Sequence, residues 1–416
     1  MKKQHLHPTD VQGVISLVID ALSGVTDVVE AMHQTIGDPL GLTSRRRTSG
    51  ITGMVYSGIR GVTQLVGGSL DLLLEQIVPY LGDPASTPQR DAVLAALNGV
   101  VGDHLVEVNN PMAINMHFRK AGQVLEMNRQ ALAEAYPTAG RILVLVHGLC
   151  MNDQQWLRHG HDHGAALADE LGYTPVYLHY NSGLHISSNG TAFAALLEEL
   201  LSNWPAPVEE LVIVAHSMGG LVTRSACLTA EQNELSWLGF LRKIVFLGTP
   251  HSGSPLERGG NRLGRLLEAI PYSAPIGRMG KLRSAGITDL RHGSLLDSDW
   301  QGQDRFSQKH GPLQALPLPV GVACYALAAV KDKDPNLKDG LAQDGLVPLK
   351  SALGESTRGE NARGENARPE FDLQIPPERK WVRRGIGHFD LLSDLEVYDR
   401  VRDWVAEPVS GDARSD

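Results

Sequence analysis

Apolar positions recur at three- and four-residue steps over the first third of the chain and give way to short unbroken runs beyond about residue 140. Val14, Leu17, Val18, Ala21, Leu22, Val25, Val28, Val29 and Met32 share one face of a helix. A break rich in Pro, Gly, Ser and Arg over 37–50 separates this stripe from a second one, Val55, Ile59, Val62, Val66, Leu70, Leu73, Leu74 and Ile77. Gly53, Gly58, Gly61 and Gly67 interrupt the second stripe. Each weakens an isolated helix by about 1 kcal/mol and is tolerable where another backbone packs close. Pro84 and Pro88 mark a loop, and Ala92 to Val106 reads as a third helix. Residues 1–138 are therefore expected to form a helical N-terminal region.

From Arg141 the pattern becomes strand, loop and helix in repetition. Ile142 to Val146, Pro175 to Tyr180, Leu211 to Ala215, Lys243 to Leu247, Gly321 to Val330 and Lys380 to Arg383 are apolar or β-branched runs. Helical stretches separate most of them: Gln155 to Leu171, Thr191 to Asn203, Leu221 to Ala230 and, at the end, Leu391 to Val405. Such strands alternating with helices predict an α/β domain over 139–408, a mostly parallel sheet covered on both faces, with 409–416 as a tail. Ligands of such a sheet bind at the carboxyl ends of its strands, so the loops that follow the strands are where chemistry is sought.

Two of these loops form a pair. In LVIVAHSMGG, Ser217 follows a strand directly and a glycine-rich helix start follows it. A serine on that sharp turn is strained and has its hydroxyl pushed out above the sheet, as a nucleophile requires. The amide of Met218 then opens a helix, where backbone donors and the dipole favour a developing oxyanion. In LVLVHGLCMN, Gly148 permits a tight turn and the Leu149 amide is expected to supply a second oxyanion donor.

Together with FLGTPHSGS, AQDGLVP and GIGHFDLL, the strings VHGL and AHSMGG resemble the α/β-hydrolase superfamily, in particular bacterial lipases and esterases. The GTPHSGS loop is also similar to that of glycosylphosphatidylinositol inositol-deacylase-like proteins. The resemblance spans about residues 140 to 406 and implies carboxylic ester hydrolysis by a Ser-Asp-His triad in that chain order. Two departures stand out: Ala215 replaces the usual first glycine of the turn, and the oxyanion loop is HGLC rather than HGGG. The base is expected after the last strand, which selects His388, while His147 and His216 read as packing or orienting residues and His251 as structure. Asp332, Asp334, Asp339 and Asp344 all follow the strand ending at Val330. Asp344 is the choice, because Asp-Gly before a short apolar run resembles the family's acid turn, while KDKDPN reads as a solvated charged turn. The same parts serve acyl transfer to an alcohol, and a hydrolase fold retained for binding alone is a third reading.

Residues 252–320 are too many for a connecting loop. Leu263, Leu266, Leu267, Ile270, Pro271, Tyr272, Ile276, Met279 and Leu282 within them suggest a helical cap. RGENA stands twice in tandem in the polar stretch 355–370, a surface insertion. Composition narrows the remaining choices. A net charge of -9 gives no positive field for nucleic acid, and three cysteines in 416 residues are too few for a disulfide framework. Lys2 and Lys3 precede an apolar run bounded by Asp10 and Asp20, which does not fit an export leader, and no run spans a membrane. A cytoplasmic enzyme is expected, without cofactor, acting on a small-molecule or lipid ester. Asp20, Asp27 and Glu30 on the first helix oppose contact with anionic membrane surfaces. His159, His161, Asp162 and His163 are not expected to hold a metal, nor is Asp390, since one carboxylate does not make a calcium site.

Overall fold

The computed structural model describes residues 88–136, 140–253, 284–302, 316–334, 343–355 and 372–408. Both N-terminal stripes, the cap residues from Leu263 to Leu282, Asp339 and the RGENA repeats lie outside the described residues. The chain forms two compact units, residues 1–85 with 105–113, and residues 86–104 with 114–416. In the first unit the Asn110 amide donates to the Leu105 carbonyl at 2.8 Å, and the Asn110 side chain accepts from the Met112 amide.

The second unit is built on an eight-stranded sheet. In chain order its strands are β1 (His117–Lys120), β2 (Gln123–Val124), β3 (Arg141–Val146), β4 (Thr174–His179), β5 (Glu210–His216), β6 (Leu241–Leu247), β7 (Ala323–Val330) and β8 (Lys380–Arg384). Their spatial order is β2-β1-β4-β3-β5-β6-β7-β8. β1 is antiparallel to both β2 and β4, and every pairing from β4 through β8 is parallel. Strands buried on both faces read as continuous apolar runs, which is why β3, RILVLV, was legible.

Eight helices accompany the sheet among the described residues: α1 (Pro88–Glu107), α2 (Arg129–Ala135), α3 (His163–Leu171), α4 (Ile186–Ser202), α5 (Met218–Gln232), α6 (Ala285–His292), α7 (Leu349–Ala352) and α8 (Leu395–Ala406). Alternation sorts the core. Leu143, Leu145, Val212, Val214, Val245 and Leu327 pack with Leu167 of α3 and Val397, Val401 and Trp404 of α8. The intervening residues of β3 and β5, such as Val144 and Ile213, are equally buried on the opposite face, and α5 packs along β3 and β5 and against α4. The Lys243 ammonium closes one end of the sheet by donating to the Val405 carbonyl. A mostly parallel sheet between helical layers, with a serine at the sharp turn from β5 to α5, is the α/β-hydrolase architecture.

The structure differs from the sequence expectation in three places. The sheet begins at His117, inside the region read as helical, because β1 is only HFRK and a four-residue strand with one buried apolar residue, Phe118, shows no period. The stretch Gln155 to Leu171 is not one helix. A 3-10 turn, Asp153–Trp156, is followed by a tight bend with His159 and Gly160 at positive φ, and α3 starts only where the Asp162 side chain caps the Gly164 and Ala165 amides. At the C-terminus a 3-10 turn, His388–Leu392, precedes α8, whose start is capped by Asp394.

Candidate active site

The turn between β5 and α5 is strained at Ser217, which has φ 54° and ψ -125°. A non-glycine residue held there costs about 1–3 kcal/mol, so its surroundings must over-determine it. They do. The Ser217 amide donates to the Leu247 carbonyl of β6 at 2.8 Å, and its carbonyl accepts from the Gly220 amide at 3.1 Å. A Cβ on Gly219 would stand 2.5 Å from the His147 carbonyl oxygen, and one on Gly220 would stand 2.1 Å from Thr249 Oγ1. Only glycines let α5 start this close to the ends of β3 and β6.

The loop after β3 reaches the same turn. A Cβ on Gly148 would lie 3.0 Å from the Ser217 Cβ, so backbone and serine are in direct apposition. The loop is shaped by Cys150 at φ 59°, by a Met151 amide donating to the Gly148 carbonyl, and by a Cys150 amide donating to Ser182 Oγ at 2.9 Å. Among the described residues neither the Leu149 nor the Met218 amide has a hydrogen-bond acceptor.

His388 opens the 3-10 turn after β8, and Asp344 lies in the segment after β7. His388 Nδ1 is 2.6 Å from Asp344 Oδ2, with both side chains almost fully buried. The other oxygen, Asp344 Oδ1, accepts from the Leu346 and Val347 amides at 2.9 and 2.8 Å, and the Asp344 carbonyl accepts from the His388 amide. The carboxylate is an acceptor throughout, so Nδ1 carries the imidazole proton and Nε2 keeps its lone pair. The loop is closed by Asp390, which accepts from the Gly387 amide at 2.8 Å.

His388 is bound to the serine turn through His216. The His216 Nε2 lies 3.3 Å from the His388 carbonyl oxygen, and the two rings are 4.7 Å apart. A Cβ on Gly248, the residue after Leu247, would lie 3.1 Å from the His388 ring. Burial above all, with a smaller electrostatic contribution from the neighbouring His388 ring, holds His216 well below the usual histidine range. His147 is pushed down to about 3 by burial, stacks on Tyr180 at 4.3 Å and bonds to the Gly148 carbonyl. His251 packs edge-on to Phe246 at 4.7 Å, and its amide donates to the Thr249 and Ser351 carbonyls. Asp332 and Asp334 are exposed in a turn in which the Asp334 amide donates to Asp332.

The histidine-rich bend is held by hydrogen bonds among its own side chains and neighbouring elements. His161 and His163 bond to each other at 2.8 Å, His163 bonds to the Leu391 carbonyl, and Asp162 caps α3 and accepts from Tyr177. Among the described residues no group of three His, Cys, Asp or Glu is arranged to hold a metal, and no helix is long and apolar enough to cross a membrane. Sequence reasoning missed a buried charge cluster of Asp91, Arg119 and Asp153 beside the loop after β3. Its members are scattered over more than sixty positions and carry no motif.

A family model described as a domain of unknown function, DUF7379, matches residues 106–274. No curated protein matches the chain. Among solved structures, the mature form of a Bacillus licheniformis lipase is 16% identical, with a TM-score of 0.40, over 69% of this chain and 98% of that one. Lipase B of Aspergillus fumigatus is 11% identical, with a TM-score of 0.40, over 83% of this chain and 82% of that one. A Legionella pneumophila phospholipase is 15% identical, with a TM-score of 0.33, over 51% of this chain and 44% of its own length. The strand order and the strained Ser217 turn give the chain the α/β-hydrolase fold.

Proposed function

We propose that the chain is a serine ester hydrolase, a carboxylesterase or lipase, working through an acyl-enzyme. His388 takes the Ser217 proton at Nε2 as the serine oxygen attacks the ester carbonyl. Asp344 holds the imidazole in the tautomer that leaves Nε2 free and stabilises the imidazolium that forms. The Leu149 and Met218 amides receive the tetrahedral oxyanion. His388 then returns the proton to the departing alcohol, and water repeats the sequence to release the acid.

The observation that carries this reading is the buried His388–Asp344 pair, whose loop is tied through His216 to the strained Ser217 turn. The test is labelling by a fluorophosphonate probe combined with turnover of p-nitrophenyl esters from acetyl to palmitoyl. Wild-type protein should label once, at Ser217, and hydrolyse part of the series. Ser217→Ala should abolish labelling and lower turnover by roughly four orders of magnitude or more with folding intact. Full turnover by that variant would sink the mechanism. Product analysis with added alcohol separates hydrolysis from acyl transfer.

A further inference from the structure

The loop that carries Leu149 is held at both ends by buried polar groups that the chemistry itself does not use. At its start the Tyr180 hydroxyl donates to the His147 carbonyl at 2.9 Å. At its end, Asn152 caps the 3-10 turn that begins at Asp153. Asp153 is buried, and so are its neighbours Arg119 on β1 and Asp91 on α1. Arg119 Nη1 lies 2.8 Å from Asp91 Oδ2 and 3.3 Å from Asp153 Oδ1. Asp91 Oδ2 also accepts from the side chain of Gln154 at 2.9 Å. Arg119 Nε reaches His117 Nε2 at 2.9 Å, and His179 Nδ1 stands 3.2 Å from Asp153 Oδ1, within ion-pair reach but off the line of a hydrogen bond.

Such a cluster is not explained by stability. Desolvating three charged groups costs several kcal/mol per ion, and well-packed apolar residues of the same volume often do as well or better. A guanidinium gives something apolar packing does not, a fixed fork of donors that sets the position of each carboxylate. Here it ties two consecutive residues, Asp153 directly and Gln154 through Asp91, to β1 and α1. Leu149 is four positions upstream of Asp153, across the strained Cys150. The position of the Leu149 amide is therefore bracketed by Tyr180 on one side and Arg119 on the other.

We propose that Arg119, acting through Asp153 and Asp91, is a positioning residue that fixes the oxyanion loop, so that loosening this clamp weakens binding of the transition state more than binding of the substrate. The inference rests on the ester-hydrolase reading above. Burial alone would raise the Asp153 carboxyl, but His179 and Arg119 outweigh it and hold the group below its ordinary range, consistent with a carboxylate kept charged in place.

The test uses the full chain with Asp153→Asn, Gln154→Leu and Arg119→Met. Active sites are counted by end-point titration with a fluorophosphonate, and kcat per titrated site, KM and the affinity for a trifluoromethyl ketone analogue of the preferred substrate are then measured. A misplacement near 1 Å typically costs about a hundredfold, so kcat per titrated site should fall about 10- to 100-fold in Asp153→Asn, and less in Gln154→Leu. Ketone affinity should fall with kcat/KM, while KM stays within about threefold. Arg119→Met removes the guanidinium that two buried carboxylates share; should it fail to fold, the two milder variants decide. The proposal is overturned if they lose only melting temperature or titratable fraction while kcat per site and ketone affinity hold within about twofold. Failure of the ester-hydrolase reading looks different, because wild-type protein would then not titrate at all.

Discussion

Both oxygens of Asp344 are committed, one to two backbone amides of its own turn and the other to His388. The backbone bonds fix the carboxylate so that a single direction remains for the imidazole, which makes the identity of the acid a matter of orientation rather than of charge. Asp344→Asn puts an amide at that position, and where its NH2 faces Nδ1 the imidazole turns to the tautomer that no longer accepts at Nε2. Turnover is expected to drop about ten-thousandfold with geometry kept. Asp332→Asn and Asp334→Asn, both exposed, should stay within about twofold. A larger loss in Asp334→Asn than in Asp344→Asn, by kcat/KM on one p-nitrophenyl ester, would reassign the acid. The sequence offers four aspartates close behind β7, Asp332, Asp334, Asp339 and Asp344, and ranks them only by resemblance to a family turn. Direction is a property of the folded loop, and no spacing rule along the chain encodes it.

At the scale of elements, the meeting of β3, β5, β6 and α5 depends on missing side chains. A Cβ on Gly219 would press on two carbonyl oxygens, of His147 at 2.5 Å and of Val146 at 2.6 Å, and neither backbone atom can step aside without moving β3. Gly219→Ala is therefore expected to destabilise the chain by about 1–3 kcal/mol through overpacking. It should also shift the oxyanion loop, so that ester turnover falls along with melting temperature. An unchanged melting temperature by circular dichroism would show that β3 and α5 have more freedom than these contacts allow. This junction was legible in the chain, because buried parallel strands are continuous apolar runs and Ser217 stands directly between such a run and a glycine-rich helix start. What escaped was short or capped by side chains. β1 is four residues with a buried arginine, and the start of α3 is set by Asp162 rather than by the apolar period that runs on from Gln155.

The whole molecule responds to acid through its buried histidines. His147 is pushed down to about 3 and His163 to about 4, by burial in both cases, and His216 and His251 also lie well below the ordinary value. An unfolded chain protonates these rings near pH 6.5 while the folded one does not, so between the two values the unfolded state binds more protons and stability falls as the pH drops. His147 and His163 should each cost on the order of 2 kcal/mol by pH 5, His216 and His251 act in the same direction, and the melting temperature should be level above about pH 7 and fall steeply below about pH 6. A flat profile down to pH 5 would contradict the burial of these rings. Truncation tests the same molecule from its edge. Removing residues 1–135 takes away α1, the β1–β2 hairpin and α2, strips β4 of its antiparallel partner and leaves Asp153 without Arg119. An open sheet edge templates association, and breaking a buried ion pair by removing one partner costs about 3–5 kcal/mol. That truncation should aggregate or fail to hydrolyse esters although Ser217, Asp344 and His388 all remain. Removing residues 1–85 instead leaves every strand and the Arg119 pairs in the chain, and should give the higher soluble yield and specific activity of the two. A monomeric, fully active product from the longer deletion, judged by light scattering and ester turnover, would mean that the sheet needs neither its antiparallel edge nor the buried cluster behind it.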